Sequence, residues 1–231
     1  LPKAKELIEK YQVTVESYRP HILKGYYDLL REDFDSALSE FDKAKNAGGI
    51  YRTILLTLKG DAYRYKGLLN RAMEEYAKAI NEDRSWAPAY HGIGITYMLK
   101  RDVQHAEEYF KRALSVEPDN VLVLADMADL MLIKRRHSEA LKYAQAAVFK
   151  KPPFYQPYLA MGNALLVEER EKEAERFYSE AIDRGAKDHM VILNKARMYY
   201  LRGDYKRANE YLSSLGNLKD IPLRMRELIM H

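Results

Sequence analysis

Cysteine is absent from the 231 residues. That excludes a disulfide framework and a thiolate zinc site. Long apolar runs are missing too. The nearest, VLVLADMADLMLI (121–133), is broken by Asp126 and Asp129, so no membrane insertion is expected. A strong charge of one sign is also lacking. The 38 basic and 34 acidic residues are interleaved, and the formal charge is +4. That is slight for this length, so nucleic acid is not expected as a ligand. The opening LPKAKELIEKY is charged and is expected to be helical, without the apolar stretch of a signal peptide. It has no initiator Met, so a fragment or processed product is expected, and an upstream segment could carry a targeting signal. The sequence fixes no compartment; the cytoplasm is favoured.

Signatures of catalysis are missing as well. His21, His91, His105, His137, His189 and His231 fall on different predicted helices with no H-E-x-x-H pair. HGIGITY contains G-x-G but follows no predicted strand, so a dinucleotide site is not expected. KRRH (134–137) falls in a predicted turn and reads as a solvated run. Nineteen tyrosines could stack on bases, but most occupy predicted core positions. Trp86, the single tryptophan, precedes a helix and is expected to staple against it. No nucleophile–base pair or carboxylate cluster stands out. The expectation is no enzyme, no cofactor and no metal.

A repeat is present. AMEEYAKAINEDRS begins at residue 72 and AEEYFKRALSVEPD at 106. Both start with alanine, then place an aromatic four residues on and alanine seven residues on. The anchoring alanines are Ala37, Ala72, Ala106, Ala140, Ala174 and Ala208, spaced 35, 34, 34, 34 and 34. Twelve residues before each sits Gly25, Gly60, Gly94, Ala128, Gly162 or Ala196. Four after each sits Phe41, Tyr76, Phe110, Ala144, Tyr178 or Leu212. Seven after sits Ala44, Ala79, Ala113, Ala147, Ala181 or, breaking the rule, Leu215. Each period holds two stretches with helical spacing, such as Tyr90, Ile93, Gly94, Tyr97 and Ala106, Tyr109, Phe110, Ala113. Short polar links join them. Each repeat therefore reads as an antiparallel helix pair in which small residues allow close approach and aromatics fill the space beside them.

This pattern closely resembles the tetratricopeptide repeat: 34 residues, W-x2-L-G-x2-Y, then A-x3-F, then P. With the anchoring alanine as position 20, six repeats span 18–52, 53–86, 87–120, 121–154, 155–188 and 189–222. Tyr63, Tyr97 and Tyr199 meet the family's position 11 tyrosine, and Pro118 and Pro152 its position 32 proline. Asp28, Met131 and Leu165 depart at position 11. Lys24, Lys59 and Lys195 depart at position 7. The resemblance implies an all-α, right-handed superhelical solenoid of helix pairs. Residues 1–17 are expected to form an N-terminal helix, a cap or a linker from an upstream segment. Residues 223–231 are expected to form a capping helix led by Pro222.

The resemblance also implies a working surface, a concave groove lined by the first helix of each repeat. Its candidate lining is Tyr26, Asp61, Arg64, Tyr65, His91, Ile95, Asp126, Asp129, Asn163, Asn194 and Arg197. Such a row suits an extended peptide or a partner helix. Some family members capture a terminal carboxylate with a clamp of Lys, Asn and Arg. Asn163 and Asn194 match its asparagines and Arg224 one cation, but Leu159 and Leu228 replace the other two cations. Terminal-carboxylate capture is therefore not expected; the asparagines could still bond a peptide backbone. The expected function is a protein–protein interaction scaffold that binds a partner peptide or helical segment in the groove. The alternatives are a self-assembly module, or a regulatory or recruiting domain of a longer protein.

Overall fold

A computed structural model describes residues 18–47 and 49–215. The expected N-terminal and C-terminal caps, with Pro222, Arg224 and Leu228, lie outside the described residues. Those residues contain twelve α-helices and no strand. The protein is an all-α solenoid of helix pairs, in two compact units that meet in sequence between Glu117 and Pro118.

The first unit contains α1 (Tyr18–Leu30), α2 (Phe34–Lys43), α3 (Ile50–Tyr65), α4 (Leu69–Glu82), α5 (Ala87–Leu99) and α6 (Val103–Val116). The second contains α7 (Val121–Ile133), α8 (His137–Phe149), α9 (Gln156–Val167), α10 (Glu171–Asp183), α11 (Asp188–Leu201) and α12 (Tyr205–Ser214). Each odd-numbered helix packs on the even-numbered helix that follows it, and successive first helices within a unit also touch.

One turn is used six times. The residue at position 15 of every repeat, Glu32, Gly67, Arg101, Arg135, Glu169 and Gly203, has a left-handed backbone with φ between 56 and 82°. The next N–H then bonds back to the position 11 carbonyl, as Arg136 does to Met131 at 2.8 Å and Leu68 to Tyr63 at 2.9 Å. That bond satisfies a carbonyl which the helix end would leave unpaired. Asp33, Asp102 and Asp204 follow directly and cap the second helix by accepting from Ser36, His105 and Arg207 N–H groups.

The anchoring alanines are buried in all six pairs, as are Phe41, Tyr76, Phe110 and Tyr178. Glycine and aromatic ring are matched in contact. A Cβ on Gly60 would lie 2.5 Å from the Tyr76 ring, on Gly94 2.4 Å from Phe110, and on Gly162 2.7 Å from Tyr178. Where the aromatic position holds Ala144 or Leu212, the facing residue is Ala128 or Ala196. Glycine is thus required where a ring presses on the backbone, and alanine suffices where it does not.

The three departing lysines at position 7 have partners. Lys24 donates to Glu40 at 2.7 Å, Lys59 to Asp42 at 2.7 Å and Lys195 to Glu175 at 2.6 Å. Trp86 differs from the expected staple in where its polar edge goes. Its ring packs on a cluster that includes Ile93 of α5, but its Nε1–H reaches back to Thr57 Oγ1 on α3 at 2.9 Å. A half-buried indole needs an acceptor, and the preceding repeat supplies it.

Candidate functional site

On the second unit α7, α9 and α11 lie side by side. They carry Asp126 and Asp129, Asn163, and Asn194 and Arg197 respectively. Asn163 is 0% exposed and links all three helices. Its Nδ2 donates to Asp129 Oδ1 at 3.0 Å and to Asn194 Oδ1 at 3.1 Å. Its Oδ1 accepts from the Tyr178 hydroxyl of α10 at 3.1 Å. Asn194 Nδ2 in turn donates to the Met190 carbonyl at 2.8 Å. An amide offers two donors and an acceptor, and here all are used inside the fold. Asn163 therefore has no group facing outward. Asp126, Asp129, Asn194 and Arg197 are half-buried, at the level where a partner could touch them.

Electrostatics tune this cluster. Burial pushes the Asp129 carboxyl above the usual aspartate range, and the Asp126 charge adds to that. The Arg197 charge and the Asn163 amide pull the other way without cancelling it. Burial, followed by the Asp129 charge, raises the Tyr178 hydroxyl well above the usual tyrosine value, so it stays a donor.

On the first unit the candidate residues sit on α1, α3 and α5. Asp61, Arg64 and Tyr76 form a closed triangle. Tyr76 donates to Asp61 Oδ1 at 2.7 Å, Arg64 donates to the same oxygen at 2.8 Å, and Arg64 Nε donates to the Tyr76 hydroxyl at 3.1 Å. The guanidinium also lies 4.4 Å over the Tyr65 ring, which stacks on Phe34. Tyr26 and Tyr65 are exposed, while His91 and Ile95 are half-buried. His91 lies 5.8 Å from the Phe110 ring. These contacts keep the Arg64 charge next to an exposed aromatic face.

Residues outside the predicted row also shape it. The hydroxyls of Tyr76 and Tyr178 hold the polar residues at position 9, and the sequence carries a signal for this. Tyrosine occupies position 24 where position 9 is Asp61 or Asn163, and phenylalanine where position 9 is Tyr26 or Ile95. Leu159, at the missing clamp cation, is buried. The KRRH run is partly committed, since Arg136 bonds Glu139 at 2.6 and 2.5 Å. Among the described residues no cluster of His, Asp and Glu could hold a metal, and no helix is long and apolar enough to cross a membrane.

Comparison with known proteins places these features. Models described as tetratricopeptide repeat match residues 55–85 and 87–120. Human "Protein O-mannosyl-transferase TMTC1" is 30% identical over 128 residues, covering 54% of this chain and 14% of that protein. Human "Tetratricopeptide repeat protein 6" is 33% identical over 73 residues, covering 32% of this chain and 14% of that one. The chain thus spans a small part of the curated relatives it matches. Among solved structures, a chain of the APC/C hetero-tetramer Cut9–Hcn1 aligns with a TM-score of 0.74 at 16% identity, covering 98% of this chain and 44% of that one. A thermophilic TPR protein of Thermus thermophilus aligns with a TM-score of 0.66 at 17% identity, over 80% of this chain and 100% of that one. At such identities the likeness concerns the fold.

Proposed function

From the tetratricopeptide repeat matches over residues 55–85 and 87–120, and the helix pairs that continue the same spacing on either side of them, we propose that the first helices bind an extended, basic segment of another protein. Repeats of this kind are protein-interaction scaffolds and generally not catalysts; the finer reading concerns where and what. The observation that carries it is the Asp129–Asn163–Asn194 chain of hydrogen bonds across α7, α9 and α11. It pins a half-buried carboxylate, with Asp126 one turn away, among groups able to meet a peptide backbone. A Lys or Arg of the partner would meet Asp126 and Asp129. Asn194 and Arg197 would meet backbone carbonyls or an acidic neighbour. Asn163 acts through the residues it holds. On the first unit Tyr26, Tyr65, Arg64, His91 and Ile95 offer aromatic and apolar contact, with Asp61 holding Arg64.

The reading includes no catalytic role. The mannosyl-transferase likeness covers 14% of that protein, too little to carry that protein's activity over to this chain. The test is backbone NMR on the full chain, titrated with blocked extended peptides that differ only in Lys, Gln or Glu. Lysine peptides should shift amides around Asp126, Asn194 and Arg197. Shifts confined to the second helices, or equal for all three peptides, would overturn the reading.

Self-assembly is the second reading. Phe149 on α8 is 83% exposed, and an exposed ring of that size is a candidate contact between copies. Sedimentation over a concentration series separates the two: a monomer throughout removes self-assembly.

A further inference from the structure

Away from the first-helix row, the second unit has a cavity of about 490 Å³ between α8 and α10, bordered by Tyr158 of α9. Val148, Tyr158 and Phe177 supply its apolar wall. Its two acids are already occupied. Glu173 accepts from Arg170 at 2.7 Å through both oxygens, and Glu180 is paired with Arg184. Arg184 also lies 4.0 Å over the Tyr158 ring and donates to the Pro152 carbonyl.

Three polar groups there are not occupied. The Lys151 and Arg176 side chains border the cavity and make no hydrogen bond or ion pair among the described residues. Tyr158 is 5% exposed, and its hydroxyl is buried without a hydrogen-bond partner. Buried hydroxyls are nearly always bonded, and one left unmet costs free energy. Two cations that make no bond lie on the cavity wall, and the Tyr158 hydroxyl beneath that wall is a donor without an acceptor; together they call for an anion that accepts hydrogen bonds.

We propose that this cavity binds a carboxylate presented by an acidic segment of a partner protein, independently of the first-helix row. The planar guanidinium of Arg176 suits a carboxylate, which can accept two of its N–H groups. Glu173 and Glu180 take their hydrogen bonds from Arg170 and Arg184, and Arg176 acts on Glu173 only through space, so the N–H groups of Arg176 stay free to bond a carboxylate. A protein segment is favoured over a small acid because exposed Phe149 and Phe154 flank Lys151 in the chain, offering apolar contact beside the charged group.

The test uses the full chain and a matched pair of blocked peptides, acetyl-Ala-Phe-Glu-Phe-Ala-amide and its Gln counterpart, with succinate as a small dicarboxylate. Tyrosine-ring NMR locates binding and calorimetry measures it. The Glu peptide should shift the Tyr158 ring signals saturably and bind about tenfold tighter than the Gln peptide. Arg176→Gln should weaken it about tenfold, and Lys151→Gln should weaken it as well. Tyr158→Phe should also bind more weakly, yet melt no lower than the parent, since the deleted hydroxyl has no partner to lose. Equal affinity for the two peptides, or unchanged affinity in Arg176→Gln, would overturn the proposal. So would a lowered melting midpoint in Tyr158→Phe, which would show the hydroxyl bonded within the fold. Succinate binding as tightly as the Glu peptide would overturn the assignment to a protein partner and point to a small dicarboxylate instead.

Discussion

The Tyr178 hydroxyl donates to Asn163 Oδ1 at 3.1 Å from fifteen residues along the chain, and Tyr76 donates to Asp61 over the same separation at 2.7 Å. The second helix of a repeat thus holds the side chain that its first helix presents. In the repeat with Ala144 in place of the ring, Asp129 has no hydroxyl beneath it and bonds Asn163 of the next repeat instead.

Removing that support has a cost at both sites. Tyr178→Phe leaves the fully buried Asn163 carbonyl without a donor, and should cost about 1–3 kcal/mol. Tyr76→Phe leaves Asp61 its bond from Arg64 but takes the acceptor from the largely buried Arg64 Nε–H, so it should also cost about 1–3 kcal/mol. Urea unfolding midpoints at constant slope would compare them. Equal small effects would show that neither hydroxyl anchors position 9.

The glycine–ring match makes a coupling prediction. Gly162→Ala puts a methyl against Tyr178 and should cost about 1–3 kcal/mol. In a Tyr178→Ala background the same change should cost much less, because the repeat holding Ala128 and Ala144 already uses that combination. A double-mutant cycle should give a coupling of about 0.5–3 kcal/mol. Additive effects would mean the ring does not set the glycine requirement.

The six left-handed turns divide by residue type. Glu169→Gly and Arg135→Gly should each stabilise by about 1 kcal/mol, since a side chain is strained at their φ of 64 and 56°. Gly67→Ala should destabilise by about as much. Opposite signs in thermal melts are the expected pattern.

Much of the fold was legible because it follows from spacing. Alanine and aromatic recurrences mark which side of each helix is buried, and that is a one-dimensional signal. The recurring turn was not legible, because four of its six residues are Glu or Arg, which do not advertise a left-handed backbone. The candidate row was legible only as a face. Repeat position says which way Asn163 points but not how deep it sits, and its depth depends on Tyr178, Asp129 and Asn194 closing over it from three other helices. The position 7 lysines read as departures because their acids lie sixteen to twenty residues away along the chain.

Glu40 gives the first unit an acid-sensitive joint. It is 4% exposed and accepts from Lys24 at 2.7 Å, Lys43 at 2.8 Å and His21 at 2.8 Å. Burial pushes its carboxyl up, but the hydrogen bonds from Lys24, Lys43 and His21 outweigh burial and hold its pKa at about 2, against 4.5 for the free group. A depressed pKa means that the folded chain prefers the ionised form. The stabilisation is therefore complete above about 4.5 and is lost as pH falls through about 2. It amounts to at most about 3 kcal/mol. Glu40→Gln should lower the melting midpoint at pH 7 and flatten its fall between pH 5 and 2. A parent and variant that lose stability in parallel would remove Glu40 as the source.

Asp126 and Asp129 lie three residues apart on α7, and both are half-buried in the proposed row. If a basic segment docks there, the pair should steer its approach, and that effect should weaken as salt screens it. Asp126→Asn with Asp129→Asn should slow association with a blocked lysine peptide and flatten the dependence of the on-rate on salt. Asparagine at 129 keeps an acceptor for the Asn163 amide, so the row should stay assembled and the loss should be one of charge. Acidity offers an independent readout. Only the ionised Asp129 attracts a cation, and burial already holds its carboxyl above the ordinary aspartate value. Affinity should therefore begin to fall at a higher pH than for a contact made by an ordinary surface aspartate, and that early fall should vanish in Asp129→Asn. Arg197→Gln removes the cation that eases ionisation of Asp129, so it should move the fall to still higher pH. An unchanged salt slope in the double variant, together with a pH profile indifferent to Asp129→Asn, would place the entry point of the partner elsewhere on the chain.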